Sequence, residues 1–115
     1  MDLRLYGIPN CDTVKKARSW LDGRGHTVRF HDYKKVGVDA TALDRWIGEV
    51  GWEPLLNRAG TTFRKLGEAD RSDIDAAKAR ALMLAHPSLI KRPVVEGAPQ
   101  LLVGFRQEQY EAAGL

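Results

Sequence analysis

An α/β fold built on a mixed four-stranded sheet is what this sequence predicts, and three observations lead there. The chain opens on a strand–loop–helix–strand pattern, the stretch from Pro93 to Val103 reads as a hairpin, and the segment between them is helical. A helix that connects two neighbouring strands returns the chain to the same end of the sheet, so the first pair runs parallel. A tight turn makes the last pair antiparallel.

The first strand carries Leu3 and Leu5, and Ile8 belongs to the loop that follows. Pro9 and Asn10 break the strand, and Asn10 suits the N-cap of a helix starting near Cys11. Val14, Ala17 and Leu21 recur at helical spacing, and Gly23 and Gly25 end that helix. Val28 and Phe30 alternate with Arg29 and His31, the signature of a second strand. Asp39 caps the next helix, whose apolar face is Leu43, Trp46, Ile47 and Val50 and which closes at Gly51. From Trp52 to Asp70 the pattern is less regular, with Leu55 and Leu56 the expected buried pair and Asn57-Arg58-Ala59-Gly60 a turn. Ser72 with Asp75 resembles a capping box before a helix with Ile74, Ala77, Ala81 and Leu84 inward, and His86-Pro87 stops it. Pro93 to Glu96 is a strand, Gly97 to Gln100 a turn, Leu101 to Val103 the return strand, and Arg106 to Ala113 a last helix. The order βαβ, helices, ββα is a thioredoxin-like arrangement with a helical insertion at about 39–88, in a single domain spanning 1–115.

With 115 residues, 43% of them hydrophobic and 29% charged, the chain suits one globular domain with a real core. Its apolar runs are too short to span a membrane, and its first residues lack the apolar stretch of an export signal, so a cytoplasmic location is expected. Net charge is +3, and the bases interleave with acids. A nucleic-acid footprint needs a clustered patch, so that partner is disfavoured; a small anion needs only two or three arginines. Nothing in the sequence demands more than a monomer.

Cys11 is the single cysteine. No internal disulfide can form, and any redox partner thiol must come from another molecule. At a helix N-terminus the unpaired N–H groups and the positive end of the dipole favour a thiolate, which is the nucleophile. Lys15 and Lys16, one turn on, add to this, while Asp12 opposes it. Val14 stands where a two-cysteine redox motif has its second thiol, so that mechanism is closed. His26, His31 and His86 do not cluster at ligand spacing, and no metal site is expected. His31 in a strand and His86 at a helix end read as structural, and Trp20, Trp46 and Trp52 as packing residues.

Three blocks then resemble a known family. Tyr6-Gly7-Ile8-Pro9-Asn10-Cys11-Asp12-Thr13-Val14-Lys15-Lys16-Ala17, the stretch from Asn57 to Leu66, and Leu89-Ile90-Lys91-Arg92-Pro93-Val94-Val95 look like the arsenate reductase/Spx (ArsC-like) family, in particular its YffB-like branch of glutathione-dependent thiol reductases. The blocks keep the family's order and spacing over nearly the whole chain. The fold this implies, a thioredoxin-like core with a helical insertion, agrees with the element order.

By this resemblance Cys11 is the nucleophile, Arg92 and Arg106 are two of three anion-holding arginines, and the third is Arg58 or Arg64. Asn10 and Pro93 are expected in the same substrate- and glutathione-binding set, with Pro93 a cis proline that would fix the Arg92 backbone near the thiol. Arginine stays charged and offers planar donors suited to carboxylates and oxyanions. No bound cofactor is implied. Glutathione is the implied co-substrate, forming a mixed disulfide that glutaredoxin resolves in arsenate reductases. Two departures turn the expectation away from arsenate. Gly7 stands where those reductases have a histidine, and Asp12 replaces a small polar residue, costing an approaching anion about 1 kcal/mol. Glutathione-dependent thiol–disulfide reduction is therefore the expected activity. The alternatives are arsenate reduction and, on shared fold alone, an Spx-like regulator that contacts RNA polymerase. Spx-type switches commonly use two cysteines, where this chain has one.

Overall fold

Strand β1 (Asp2–Gly7) lies inside a four-stranded sheet in the computed structural model, which describes residues 1–115. The strand order is β2 (Thr27–Asp32), β1, β3 (Val94–Glu96), β4 (Leu102–Val103). β1 and β2 run parallel, and β3 is antiparallel to both β1 and β4, so the sheet is mixed as the sequence predicts. Alternation along β1 decides which face is covered. Leu3, Leu5 and Gly7 are buried, whereas Asp2 and Arg4 are exposed. On the covered face Leu3 and Leu5 join Val95 and Leu102, with Val14, Ala17 and Leu21 of helix α1 (Asp12–Gly23) packed against them. Burying each such leucine stabilises the fold by about 1.5–3 kcal/mol. Tyr110 of α7 (Gln107–Ala112) completes this core and donates a hydrogen bond from its hydroxyl to the Gly104 carbonyl at 2.7 Å.

The opposite face of the sheet carries a polar cluster beside the buried Val94. The nearly buried Glu96 carboxylate accepts from Tyr6 Oη at 2.8 Å and Arg4 Nε at 3.2 Å. Tyr6 also stacks on His31, with ring centroids 4.7 Å apart. Gly97 turns the β3–β4 hairpin at φ 107°, and a Cβ there would lie 2.5 Å from the Asp2 carbonyl oxygen. Only glycine combines that dihedral with that approach.

The chain forms two compact units, Met1–Val36 with Arg92–Leu115, and Gly37–Lys91. The first holds the sheet, α1, the short helix α2 (Tyr33–Val36) and α7. In the second, α3 (Ala40–Val50) begins at Asp39, whose side chain accepts from Thr41 N–H, and ends at Gly51 with φ 81°. Short helices α4 (Thr61–Arg64) and α5 (Glu68–Arg71) follow, then α6 (Ala76–Ala85) and a 3₁₀ turn at Pro87–Leu89. Leu55 and Leu56 are buried, and an isolated bridge pairs Leu56 with Ile90.

Two local expectations are corrected here. Asp75, not Ser72, caps α6, accepting from Lys78 N–H at 2.8 Å, while Ser72 donates to the Glu68 carbonyl and closes α5. The inward face of α6 is Ala79, Leu82 and Met83; Ala77 and Ala81 are exposed. This helix is apolar on most sides, so spacing alone does not select the buried stripe, and its packing with α3 does.

Candidate active site

Three segments meet at one edge of the sheet. Gly7 pairs with Asp32 where the parallel strands β1 and β2 end, so the chain leaves the sheet on the same side toward Cys11 and toward Tyr33. β3 runs the other way, with Val94 opposite Tyr6, so Arg92 and Pro93 enter the sheet from that side. Strand direction and register thus gather residues that are distant in sequence.

Cys11 itself is the N-cap of α1, with extended backbone (φ −124°, ψ 123°), and its carbonyl accepts the first helical bond from Lys15 N–H at 2.9 Å. This corrects the expectation that Asn10 caps the helix. Asn10 is exposed one residue earlier, and its side-chain oxygen accepts from Lys15 Nζ at 3.5 Å. No side-chain oxygen closes the helix end; the N–H groups of Val14 and Thr13 face the sulfur instead. Burial of the partly exposed thiol is the largest single influence on it and pushes its pKa up. The Val14 N–H, the hydrogen bond and charge of Arg92, and the Thr13 N–H together outweigh burial and hold it below the ordinary value.

Arg92 is half-buried and precedes Pro93 through a cis peptide bond. Pro93 is buried, and its carbonyl accepts from Gly104 N–H at 2.8 Å. Burial works against the Arg92 charge, but hydrogen bonds and charge interactions with Cys11 and Tyr33 reinforce it. Tyr33, only 1% exposed, is the residue that sequence reading missed. Burial pushes its phenol far above the ordinary value against the opposing pull of Arg92, so it stays protonated and accepts a hydrogen bond from the guanidinium. The available signal was Asp32-Tyr33-Lys34-Lys35 directly after a strand. Asp32 Oδ1 accepts from the N–H groups of Lys34 and Lys35, both at 3.1 Å, and starts the turn that carries Tyr33.

Of the other arginines, Arg106 stands exposed at the N-cap of α7. Arg58 and Arg64 belong to the Gly37–Lys91 unit. There the Arg58 guanidinium lies 5.3 Å from the Trp52 ring centroid, and Arg64 Nη1 donates to the Ala59 carbonyl at 2.8 Å. No three His, Cys, Asp or Glu side chains come together as a metal ion requires. A histidine at position 7 meets a steric bar in this chain, because a Cβ there would sit 2.8 Å from Val14 Cγ2.

The geometry therefore offers a polarised thiol at a helix end beside a fixed cation. Residues 6–113 match the ArsC family pattern. The chain belongs to the ArsC family. A protein of uncharacterised function from Haemophilus influenzae is 38% identical to this ArsC-family chain over 96% of its length and 97% of its own. The global transcriptional regulator Spx 1 of Lactococcus lactis is 29% identical over 94% of this chain and 85% of its own. Among solved structures, the YFFB protein superposes with a TM-score of 0.91 at 58% identity, covering 96% of this chain and 97% of that one. An arsenate reductase (ArsC) related protein from Brucella melitensis gives a TM-score of 0.77 at 62% identity, covering 97% and 93%. This ArsC-family chain thus has the arsenate reductase-like, thioredoxin-like fold of its structural neighbours.

Proposed function

We propose that this protein is a glutathione-dependent thiol–disulfide reductase that works through the single thiolate of Cys11. The observation that carries the reading is the hydrogen bond and charge of Arg92 at a thiol already faced by two helix N–H groups. In the first step the Cys11 thiolate attacks the glutathione sulfur of a glutathionylated thiol. A Cys11–glutathione disulfide forms, the substrate S–S bond breaks, and the substrate thiolate leaves with the electron pair and takes up a proton. In the second step a glutathione thiolate attacks that mixed disulfide at the glutathione sulfur. Glutathione disulfide departs and the Cys11 thiolate returns, so each turnover consumes one reduced glutathione, the other half of the departing disulfide being the glutathione taken from the substrate. One cysteine is sufficient for this cycle. A glutaredoxin can take the place of the second glutathione. Arg92, with Arg106 in the role its family position implies, serves the carboxylates of glutathione.

The test is exposure of the purified protein to glutathione disulfide, followed by mass spectrometry. One glutathione adduct on Cys11, reversed by reduced glutathione and absent in Cys11→Ser, is expected. Arg92→Ala should form it about tenfold more slowly at neutral pH. Arg58→Ala and Arg106→Ala enter the same assay to measure their share of anion binding. Absence of any adduct would overturn the reading, and co-purification of RNA polymerase with such an inert thiol would favour an Spx-like regulator.

A further inference from the structure

We propose that Tyr33 is a positioning residue of this site, its buried hydroxyl fixing the Arg92 guanidinium in the orientation that faces the Cys11 sulfur. This rests on the thiolate reading above and adds to it a residue that never touches the substrate. A phenol hydroxyl this deeply buried requires a partner, and its partner is Arg92. An arginine side chain has many rotamers, and one acceptor leaves its plane free to turn. Two acceptors held by the same planar fork restrict that plane. Here the two are the sulfur of Cys11 and the oxygen of Tyr33.

Tyr33 is itself well anchored. Its ring is enclosed, and the Asp32 carboxylate holds the turn that presents it. The charged or titratable groups acting on the phenol are Arg92, Cys11 and Asp32. When Cys11 enters a mixed disulfide its sulfur loses the negative charge that attracts Arg92. The bond to Tyr33 does not depend on that charge, so the cation stays in place for the resolving step.

The test measures the alkylation rate of Cys11 against pH in the native protein, Tyr33→Phe, Arg92→Ala and the double variant. Phenylalanine keeps the ring and removes only the hydroxyl. We expect Tyr33→Phe to move the profile to higher pH and slow alkylation at neutral pH about fivefold, the weight of one hydrogen bond. In the Arg92→Ala background the same change should do nothing further. A normal Tyr33→Phe profile beside a shifted Arg92→Ala profile would overturn the positioning role and leave the thiolate reading standing. An equal Tyr33→Phe effect with and without Arg92 would overturn it too. If neither variant shifts the profile, the thiolate reading fails first and this inference with it. Should Tyr33→Phe not fold, nitrogen NMR of the native protein decides. Separate resonances for the Arg92 guanidinium nitrogens are expected, and one averaged resonance would contradict the fixed plane.

Discussion

Arg92, the residue before the cis proline, donates a hydrogen bond to the sulfur of Cys11, the residue that caps α1. Because the folded thiol sits below its ordinary value, the pair also affects stability. Between the folded and the ordinary pKa the unfolded chain holds the proton and the folded chain does not, so stability rises with pH across that window. The contribution is complete above the ordinary value and is lost as pH falls through the folded one. Denaturant unfolding at several pH values should show this slope in the native protein and lose it in Cys11→Ser.

The three tyrosines set the alkaline limit. Burial raises the phenols of Tyr33 and Tyr110, and burial with the Glu96 hydrogen bond raises that of Tyr6. Their stabilisation is complete below the ordinary value of 10.0 and is lost as pH rises from there toward the folded values. Thermal unfolding should therefore weaken above that pH. Tyr110→Phe, which also loses the bond to Gly104, should lower stability at neutral pH by about 1 kcal/mol and flatten the alkaline loss.

Gly7 and Val14 are matched in size. Gly7→Ala puts its methyl 2.8 Å from Val14 Cγ2, and overpacking of this kind costs about 1–3 kcal/mol. Val14→Ala creates a cavity by itself but should recover part of the loss when combined with Gly7→Ala. Chemical denaturation of the two single variants and the double gives the coupling, and strictly additive losses would contradict the contact.

Glu96 and Arg4 are unequal partners. The Arg4 side chain is 53% exposed, so Arg4→Ala should cost no more than about 1 kcal/mol, and less at high salt. Glu96→Ala strips the acceptor from Tyr6 in a nearly buried place and should cost about 1–3 kcal/mol. Urea unfolding at low and high salt separates the two.

Most of the sheet was legible because its signals are local. Leu3 and Leu5 alternate, Val14, Ala17 and Leu21 keep helical spacing, and Gly97 marks a turn that no other residue could make. Asp39 and Gly51 bound α3 as capping rules require. Other features were not legible for physical reasons. Asn10 and Cys11 both stand where a cap fits, and the backbone chooses Cys11. Near-uniform apolarity in α6 leaves its buried stripe to tertiary packing. Tyr33 reads as an ordinary aromatic after a strand, because its significance lies in Arg92, which only strand register brings near.

The most direct measurement is a titration of Cys11 followed by thiolate ultraviolet absorbance, in the native protein and in Arg92→Ala. A native midpoint below the free-cysteine value of about 8.5 that moves upward in the variant is the expected result. A native midpoint at or above that value, unchanged when Arg92 is removed, would contradict an activated thiolate at this site.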